Sequence, residues 1–337
     1  MTSRERVWAA LRGDPVDRPP ISFWGHFYDR ESSAETLVEA TLAFQREHGW
    51  DWVKLNPRKH YHVEPWGVRY RYSGVAAEKP VLEAWPVRRP ADWPAITRRP
   101  HDRGALLEQI EAVRMLRRAL PAEVPCVATV FTPLAILGEM VEHPHELAEA
   151  MRGHPDAVRG ALDAVTATFV PFVRELLRAG ADGIYFATVD WGSRDLLSPA
   201  EYREWARPHD LRLIAAAAGA RFNVLHVCKR RNLLPELADY PVSAWSWAAT
   251  DATNPSLGDA LRLVGGAVMG GISHDGALLD PDPSCALEEY RRALAATGGR
   301  RWLAGPGCSI FPATPAAHLR ALRAVAESTP LPAERPA

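Results

Sequence analysis

The sequence predicts an α/β protein whose strands and helices alternate to form a (β/α)8 barrel of the TIM type. Eight short runs rich in β-branched and aromatic residues alternate with eight longer segments of helical periodicity, and no obvious linker interrupts the series. Several of the short runs are apolar throughout, which is typical of parallel strands that are covered on both faces. A doubly wound open sheet is the alternative, because alternation alone does not reveal whether a sheet closes.

The eight predicted strands take their bounds from the apolar runs. They comprise residues 20–26, 52–56, 126–132, 183–190, 221–228, 243–248, 267–273 and 301–308. Parallel strands of a barrel end at one face, so the residues at their carboxyl ends are expected to meet there.

The eight predicted helices carry Leu, Ala and Val at three- and four-residue spacing. They comprise residues 35–48, 106–120, 144–180, 198–219, 232–239, 255–265, 283–296 and 315–327. The run 198–201 (SPAE) is a capping box with proline in the first turn, and Thr314 followed by Pro315 opens the last helix in a similar way.

We expect a single barrel domain over residues 1–327. Residues 58–124 form a long insertion between the second and third predicted strands, and this insertion is rich in Pro, Arg and Trp. Its Tyr-x-Tyr pattern at Tyr70 and Tyr72 suggests a small hairpin. Residues 328–337 (STPLPAERPA) predict a flexible tail.

Charge and composition exclude several classes of protein. The chain has 40 Lys and Arg against 41 Asp and Glu, so it lacks the basic excess of a protein that binds nucleic acid or an anionic membrane. Its apolar runs are far too short for a membrane span, and the first residues lack the apolar stretch of a signal peptide. Four cysteines in 337 residues do not make a disulfide framework. We therefore expect a soluble, cytoplasmic protein.

Reactive side chains cluster at the predicted strand ends. The sharpest group is His226 and Cys228 on the fifth predicted strand with Cys308 on the eighth. Residues two apart on a strand point to the same side, and closure of a barrel could bring Cys308 within reach. One imidazole and two thiolates suit zinc and leave a fourth position open for a substrate. The alternative is a packed core pair, because buried cysteine often acts as a small apolar residue, as we expect for Cys126 and Cys285.

The chain resembles the uroporphyrinogen decarboxylase superfamily along nearly its whole length. The motifs that carry the resemblance are residues 4–13 (RERVWAALRG), 16–20 (VDRPP), 180–183 (GADG), 197–199 (LSP), 225–228 (LHVC) and 312–315 (PATP). The resemblance implies a distorted (β/α)8 barrel. It also implies one of two chemistries, namely metal-free decarboxylation of uroporphyrinogen or zinc-dependent methyl transfer between a corrinoid and a thiol such as coenzyme M.

The sequence departs from the decarboxylases where they bind substrate. Residues 23–28 (FWGHFY) lack the pair of arginines that the decarboxylases place after strand one, and Glu139 replaces their pocket tyrosine. Their strand-eight histidine falls on Cys308, within the Pro-Gly-Cys segment that the methyltransferases share. One departure from the methyltransferases is the basic run 229–231 (KRR), where that family usually has Gly after the strand-five Cys. This run could contact an anionic substrate or partner, or form a solvated turn.

The favoured hypothesis is a methyltransferase in which Zn²⁺, held by His226, Cys228 and Cys308, activates a small thiol. The methyl donor would be a methylcorrinoid, often presented in this branch by a separate corrinoid protein. The predicted catalytic residues are His26, Asp190 and His274, and the predicted substrate-binding residues are Lys54, Asn56, Glu139, Trp191 and Asp275. Two alternatives stay open: a decarboxylase-type lyase that acts on a carboxylated tetrapyrrole or another acid, and a corrinoid- or metal-binding barrel without catalysis.

Overall fold

The computed structural model describes residues 1–331, which form a parallel sheet of seven strands surrounded by helices. In sheet order the strands are β1 (Val53–Leu55), β4 (Cys126–Phe131), β5 (Gly183–Ala187), β6 (Val224–His226), β7 (Ala244–Ser246), β8 (Ala267–Ile272) and β9 (Trp302–Pro306). Every neighbouring pair is parallel, and the order follows the chain. Strands β2 (Arg69–Arg71) and β3 (Val81–Ala84) are not part of this sheet, because they form a separate hairpin in the insertion. This arrangement is that of a TIM-barrel-like α/β fold.

Most of the helices lie between successive strands of the sheet, as the βα alternation predicted. They are α1 (Ser3–Arg12), α2 (Ala34–His48), α3 (Gly104–Ala119), α4 (Pro133–Gly138), α5 (Pro144–Gly153), α6 (Pro155–Arg178), α7 (Pro199–Trp205), α8 (Arg207–Ala216), α9 (Leu257–Leu263), α10 (Ser284–Thr297) and α11 (Ala316–Glu327). Short 3-10 helices cover Glu64–Trp66, Pro90–Ala95, Val189–Gly192 and Leu234–Leu237. The capping box of Ser198 and Glu201 at the start of α7 is present as predicted.

The first predicted strand, residues 20–26, does not form a regular strand. It makes isolated parallel bridges at Ile21 and Gly25 instead of a continuous ladder. The Ser22 amide nevertheless donates to the carbonyl of Ala304 in β9, and the Asp51 amide beside β1 donates to the carbonyl of Ile21. Pro20, the first residue of the segment, lacks a backbone donor, although its carbonyl accepts from the Ala304 amide. The segment therefore lies between the two edge strands, where an eighth strand would stand.

Prolines also divide two of the predicted helices. The predicted helix 144–180 is α5 followed by α6, with Pro155 in the first turn of α6. The predicted helix 198–219 is likewise α7 followed by α8, which has Pro208 in its first turn. Proline is tolerated in a first turn because the missing amide would have no partner there. The predicted helix 232–239 is only the 3-10 turn Leu234–Leu237, and α1 and α4 were not predicted.

The insertion contains the predicted hairpin. Strands β2 (Arg69–Arg71) and β3 (Val81–Ala84) pair antiparallel, with Tyr70 opposite Leu82. The Tyr72 hydroxyl donates to a carboxylate oxygen of Glu31 at 3.1 Å, so the hairpin is tied to the segment that follows the irregular first strand.

The end of the described chain packs against its beginning. The Leu331 amide donates to the carbonyl of Asp17, and residues 332–337 of the predicted tail lie outside the described residues. Within residues 1–331 no helix is both long and apolar enough to cross a membrane.

Candidate metal centre

The structure brings His226, Cys228 and Cys308 together at the carboxyl ends of β6 and β9. One ligand atom from each residue lies within 4.8 Å of the others. Strands β7 and β8 separate β6 from β9 in the sheet, so only the curvature of the sheet allows this convergence. His226 is buried, whereas the two cysteines are partly exposed to the space above the strand ends.

The His226 ring is oriented by a hydrogen bond on one side only. Its Nδ1 lies 3.1 Å from the Ser246 Oγ, and its buried Nε2 has no hydrogen-bond partner among the described residues. A buried ring nitrogen without a partner is unfavourable in a closed core. An imidazole that is hydrogen-bonded at one nitrogen and free at the other suits a metal ligand.

The two cysteines shift each other's pKa in opposite directions. A hydrogen bond from the Cys228 thiol holds the pKa of Cys308 well below its usual range, against the opposing effect of burial. The same hydrogen bond, with burial, raises the pKa of Cys228. Cysteine binds a metal ion as the thiolate, so metal binding would release the protons that this pair still carries.

A cavity of about 970 Å³ opens above the two cysteines. Predicted site residues that line it are His26, Asp190, Cys228, His274, Asp275 and Cys308. It is large enough for a small-molecule substrate.

His26 is held by a buried carboxylate that the sequence analysis missed. Glu31 is fully buried, and its Oε2 lies 2.8 Å from the His26 Nδ1 while its Oε1 accepts the Lys59 amide. Burial lowers the pKa of His26, although Glu31 opposes this shift. Tyr28 stacks on the His26 ring with the ring centroids 4.9 Å apart. A neutral, oriented imidazole therefore stands in the cavity wall.

Asp190 lies at the cavity rim within a set of ion pairs made by the basic run 229–231. Lys229 Nζ lies 2.6 Å from Asp190, Arg230 lies 3.0 Å from Asp251, and Arg231 pairs with Asp195. Lys229 and Arg231 adopt positive φ angles of 70° and 47°, which cost a side-chain-bearing residue about 1–2 kcal/mol each. The three basic side chains of this run thus each form an ion pair with an aspartate of a neighbouring segment.

His274 and Asp275 follow β8 and line the cavity. The His274 Nδ1 lies 3.6 Å from Asp275, and the ring stacks on Phe311 with 6.1 Å between centroids. The charge of His274 contributes to lowering the pKa of Cys308. Both predicted residues thus line the same cavity as the cysteine pair.

Lys54 and Asn56 lie inside the barrel and do not line the cavity. Lys54 donates a hydrogen bond to Asn56, and its ammonium lies 4.7 Å from the Tyr185 ring centroid. Burial lowers the pKa of Lys54 to about 7, and the two cysteines of the centre oppose this shift. Contact of these two residues with a substrate stays a prediction.

Glu139 and Trp191 are also absent from the lining of the cavity. The Glu139 Oε2 lies 2.8 Å from the His60 Nδ1 and 3.1 Å from the His62 Nε2. Trp191 is buried in the core against Gly138. Their proposed substrate-binding role likewise stays a prediction.

Comparison with known proteins places the chain in a family. The family model described as uroporphyrinogen decarboxylase (URO-D) matches residues 2–329. A methylcobamide:CoM methyltransferase, MtaA of Methanosarcina barkeri, is 25% identical over 339 residues, covering 95% of this chain and 96% of that protein. A uroporphyrinogen decarboxylase of Nocardia farcinica is 30% identical over 289 residues, covering 82% of this chain and 76% of that protein.

A solved structure shares the whole fold. A methyltransferase from Methanosarcina mazei superposes with a TM-score of 0.84 at 23% identity, covering 97% of this chain and 99% of that one. The resemblance seen in the sequence motifs is thus confirmed by the family match and agrees with the fold. The chain belongs to the uroporphyrinogen decarboxylase family.

Proposed function

We propose that this protein is a methyltransferase in which His226, Cys228 and Cys308 hold a zinc ion that activates a substrate thiol. The observation that carries the proposal is the convergence of these three ligand atoms at the floor of a cavity. Similarity to the methylcobamide:CoM methyltransferase over 95% of the chain supports methyl transfer and a methylcorrinoid donor.

The residues present fit zinc by their chemistry. The Nε2 of His226 is buried without a partner among the described residues, and the Cys228 thiol holds the pKa of Cys308 well below its usual range. A set of one imidazole and two sulfurs is a common zinc shell, and three protein ligands leave one position for a substrate. When bound, zinc would keep the sulfur of the substrate ionised and nucleophilic at neutral pH.

The residues around the centre supply binding and proton transfer. His26 is kept neutral by burial and oriented by Glu31, so it is the best-placed base to take the proton that the substrate thiol loses. The Lys229–Asp190 pair and His274 border the same cavity, where they would limit the size and orientation of the bound thiol. A separate corrinoid protein would deliver the methyl group at the open cavity mouth.

Metal content and methyl transfer test the proposal together. The purified protein should contain about one zinc per chain, and it should demethylate methylcobalamin when a suitable small thiol is added. Cys308→Ser should lose both the metal and the transfer, whereas Cys285→Ser on α10 should keep both, because Cys285 lies outside the centre.

Three results would contradict the proposal. If the purified protein contains no zinc, or if Cys308→Ser keeps all of its zinc, the three residues do not form the metal site. Turnover of uroporphyrinogen to products with fewer carboxyl groups, without any thiol methylation, would favour the lyase. Zinc binding without transfer to any thiol tested would favour a binding protein.

A further inference from the structure

We infer that Ser246 and Tyr185 are positioning residues that fix the ring of His226 in the one tautomer able to bind metal. The inference rests on the proposed metal centre. It gives a role to two residues that the proposed mechanism does not otherwise use. Neither residue touches the cavity, and neither is reactive by itself.

The three side chains form a continuous hydrogen-bonded row across neighbouring strands. His226 at the end of β6 is in register with Ser246 at the end of β7. The His226 Nδ1 lies 3.1 Å from the Ser246 Oγ, and the Tyr185 hydroxyl from β5 lies 3.0 Å from the same oxygen. All three residues are at most 2% exposed.

The position of the ring proton follows from the row. Nε2 must present a lone pair to bind a metal ion, so a neutral ring must carry its proton on Nδ1. The Ser246 Oγ is the one hydrogen-bond partner of Nδ1 within residues 1–331, so it accepts that proton's hydrogen bond. Without this oxygen, the buried Nδ1–H would lose its acceptor, and the tautomer that protonates Nε2 would compete.

Tyr185 holds the serine in turn. The Tyr185 hydroxyl lies 3.0 Å from the Ser246 Oγ, close enough to donate its proton to that oxygen. The phenol ring is itself confined, with the His226 ring centroid at 5.1 Å and the Lys54 ammonium at 4.7 Å. Ser246 can accept from both neighbours through its two lone pairs.

The test compares Ser246→Ala and Tyr185→Phe with a matched control, Ser22→Ala. Ser22 is also a fully buried serine with one hydrogen bond, from its Oγ to the Trp52 carbonyl, but it does not touch His226. Zinc affinity is measured by competition with a chromophoric chelator. The tautomer of His226 is read in the metal-free protein from the ¹⁵N shifts of its ring nitrogens.

Ser246→Ala should weaken zinc binding by about 10–100-fold, the usual effect of removing such a partner, and should shift the tautomer of His226 toward protonated Nε2. Tyr185→Phe should act in the same direction with a smaller loss, and Ser22→Ala should change neither quantity. If Ser246→Ala does not fold, Tyr185→Phe decides. Unchanged zinc affinity and an unchanged tautomer in the folded variants would overturn the inference.

The tautomer measurement separates this inference from the proposed function. Wild-type protein that binds no zinc would defeat the proposed function. The metal-free protein would still show whether Ser246 determines which nitrogen of His226 carries the proton.

Discussion

Cys308 is the residue at which the chemistry of the centre is most directly measurable. The Cys228 thiol holds the pKa of Cys308 well below its usual range, whereas burial raises the pKa of Cys126 to about 11. A thiolate is the reactive form of cysteine. In metal-free protein at pH 6.5, iodoacetamide should therefore modify Cys308 before Cys126 or Cys285. Peptide mass spectrometry at increasing times measures the order, and added zinc should protect Cys308. Modification of Cys285 before Cys308 would contradict the lowered pKa of Cys308.

Lys54 makes a second prediction, on the pH dependence of stability. Its pKa is about 7 in the folded protein because of burial, against an ordinary value of 10.5, so between these values the unfolded chain binds more protons. The free energy of unfolding should then rise with pH over this interval, by up to about 1.4 kcal/mol per unit from this group. Lys54→Met should remove that slope and stabilise the metal-free protein at pH 7.

Urea denaturation of metal-free protein at pH 7, 8 and 9 measures the slope for wild type and variant. Lys79→Met is the control, because Lys79 follows the hairpin turn at the surface and should leave the slope unchanged. Parallel pH curves for wild type and Lys54→Met would show that Lys54 is not desolvated as described.

The ligand residues could be predicted from sequence, whereas their supporting partners could not. A histidine and two cysteines at strand ends are rare and carry a metal signature. Ser246, Tyr185 and Glu31 are ordinary residue types, and they matter only through the register of neighbouring strands or the path of a loop. The same limit explains why Lys54 and Glu139 resemble cavity residues in sequence but lie outside the lining of the cavity.

At the scale of elements, the short helix α4 sets the position of the segment that carries Asp190. Gly138 ends α4, and a Cβ added there would lie 2.1 Å from the indole nitrogen of Trp191. Gly138→Ala should therefore displace Trp191 and destabilise the fold by about 1–3 kcal/mol or more. Gly160→Ala in the interior of α6 meets nothing within 4 Å and should stabilise by up to about 1 kcal/mol.

Thermal unfolding followed by circular dichroism measures the opposite signs of these two glycine substitutions. Because Asp190 precedes Trp191, Gly138→Ala should also weaken the Lys229–Asp190 pair at the cavity rim. Equal melting temperatures for the two variants would mean that Trp191 does not pack on α4 as described.

The elements themselves were predictable where one period dominates the sequence. Strands β4, β5 and β8 and helices α2 and α10 follow directly from their apolar patterns. Residues 20–26 have a strand-like composition, yet they make only isolated bridges, from Ile21 to Ala304 and from Gly25 to Ile310. Local pattern does not reveal which backbone donors find partners, because those partners come from β9 and β1, far apart in the chain.

For the whole molecule, the metal centre links parts of the chain that are distant in sequence. His226 ends β6 and Cys228 follows it, whereas Cys308 follows β9, the last strand before the final helix. Two intervening strands and their helices are enclosed between the ligands. A metal ion at this place would act as a cross-link across the curved sheet, so its binding energy should appear as stability of the entire domain.

Zinc should therefore raise the melting temperature of the protein by several degrees. A ligand present at about 1,000 times its dissociation constant stabilises the folded state by about 4 kcal/mol, provided that it does not bind the unfolded chain. Calorimetry of the metal-free protein with and without zinc measures the shift, and a chelator should reverse it. Cys308→Ser should melt at the same temperature with and without zinc, because the link to β9 is lost, whereas Cys285→Ser should respond as wild type does. If zinc raises the melting temperature of Cys308→Ser as much as that of wild type, the stabilising metal binds elsewhere and does not link β6 to β9.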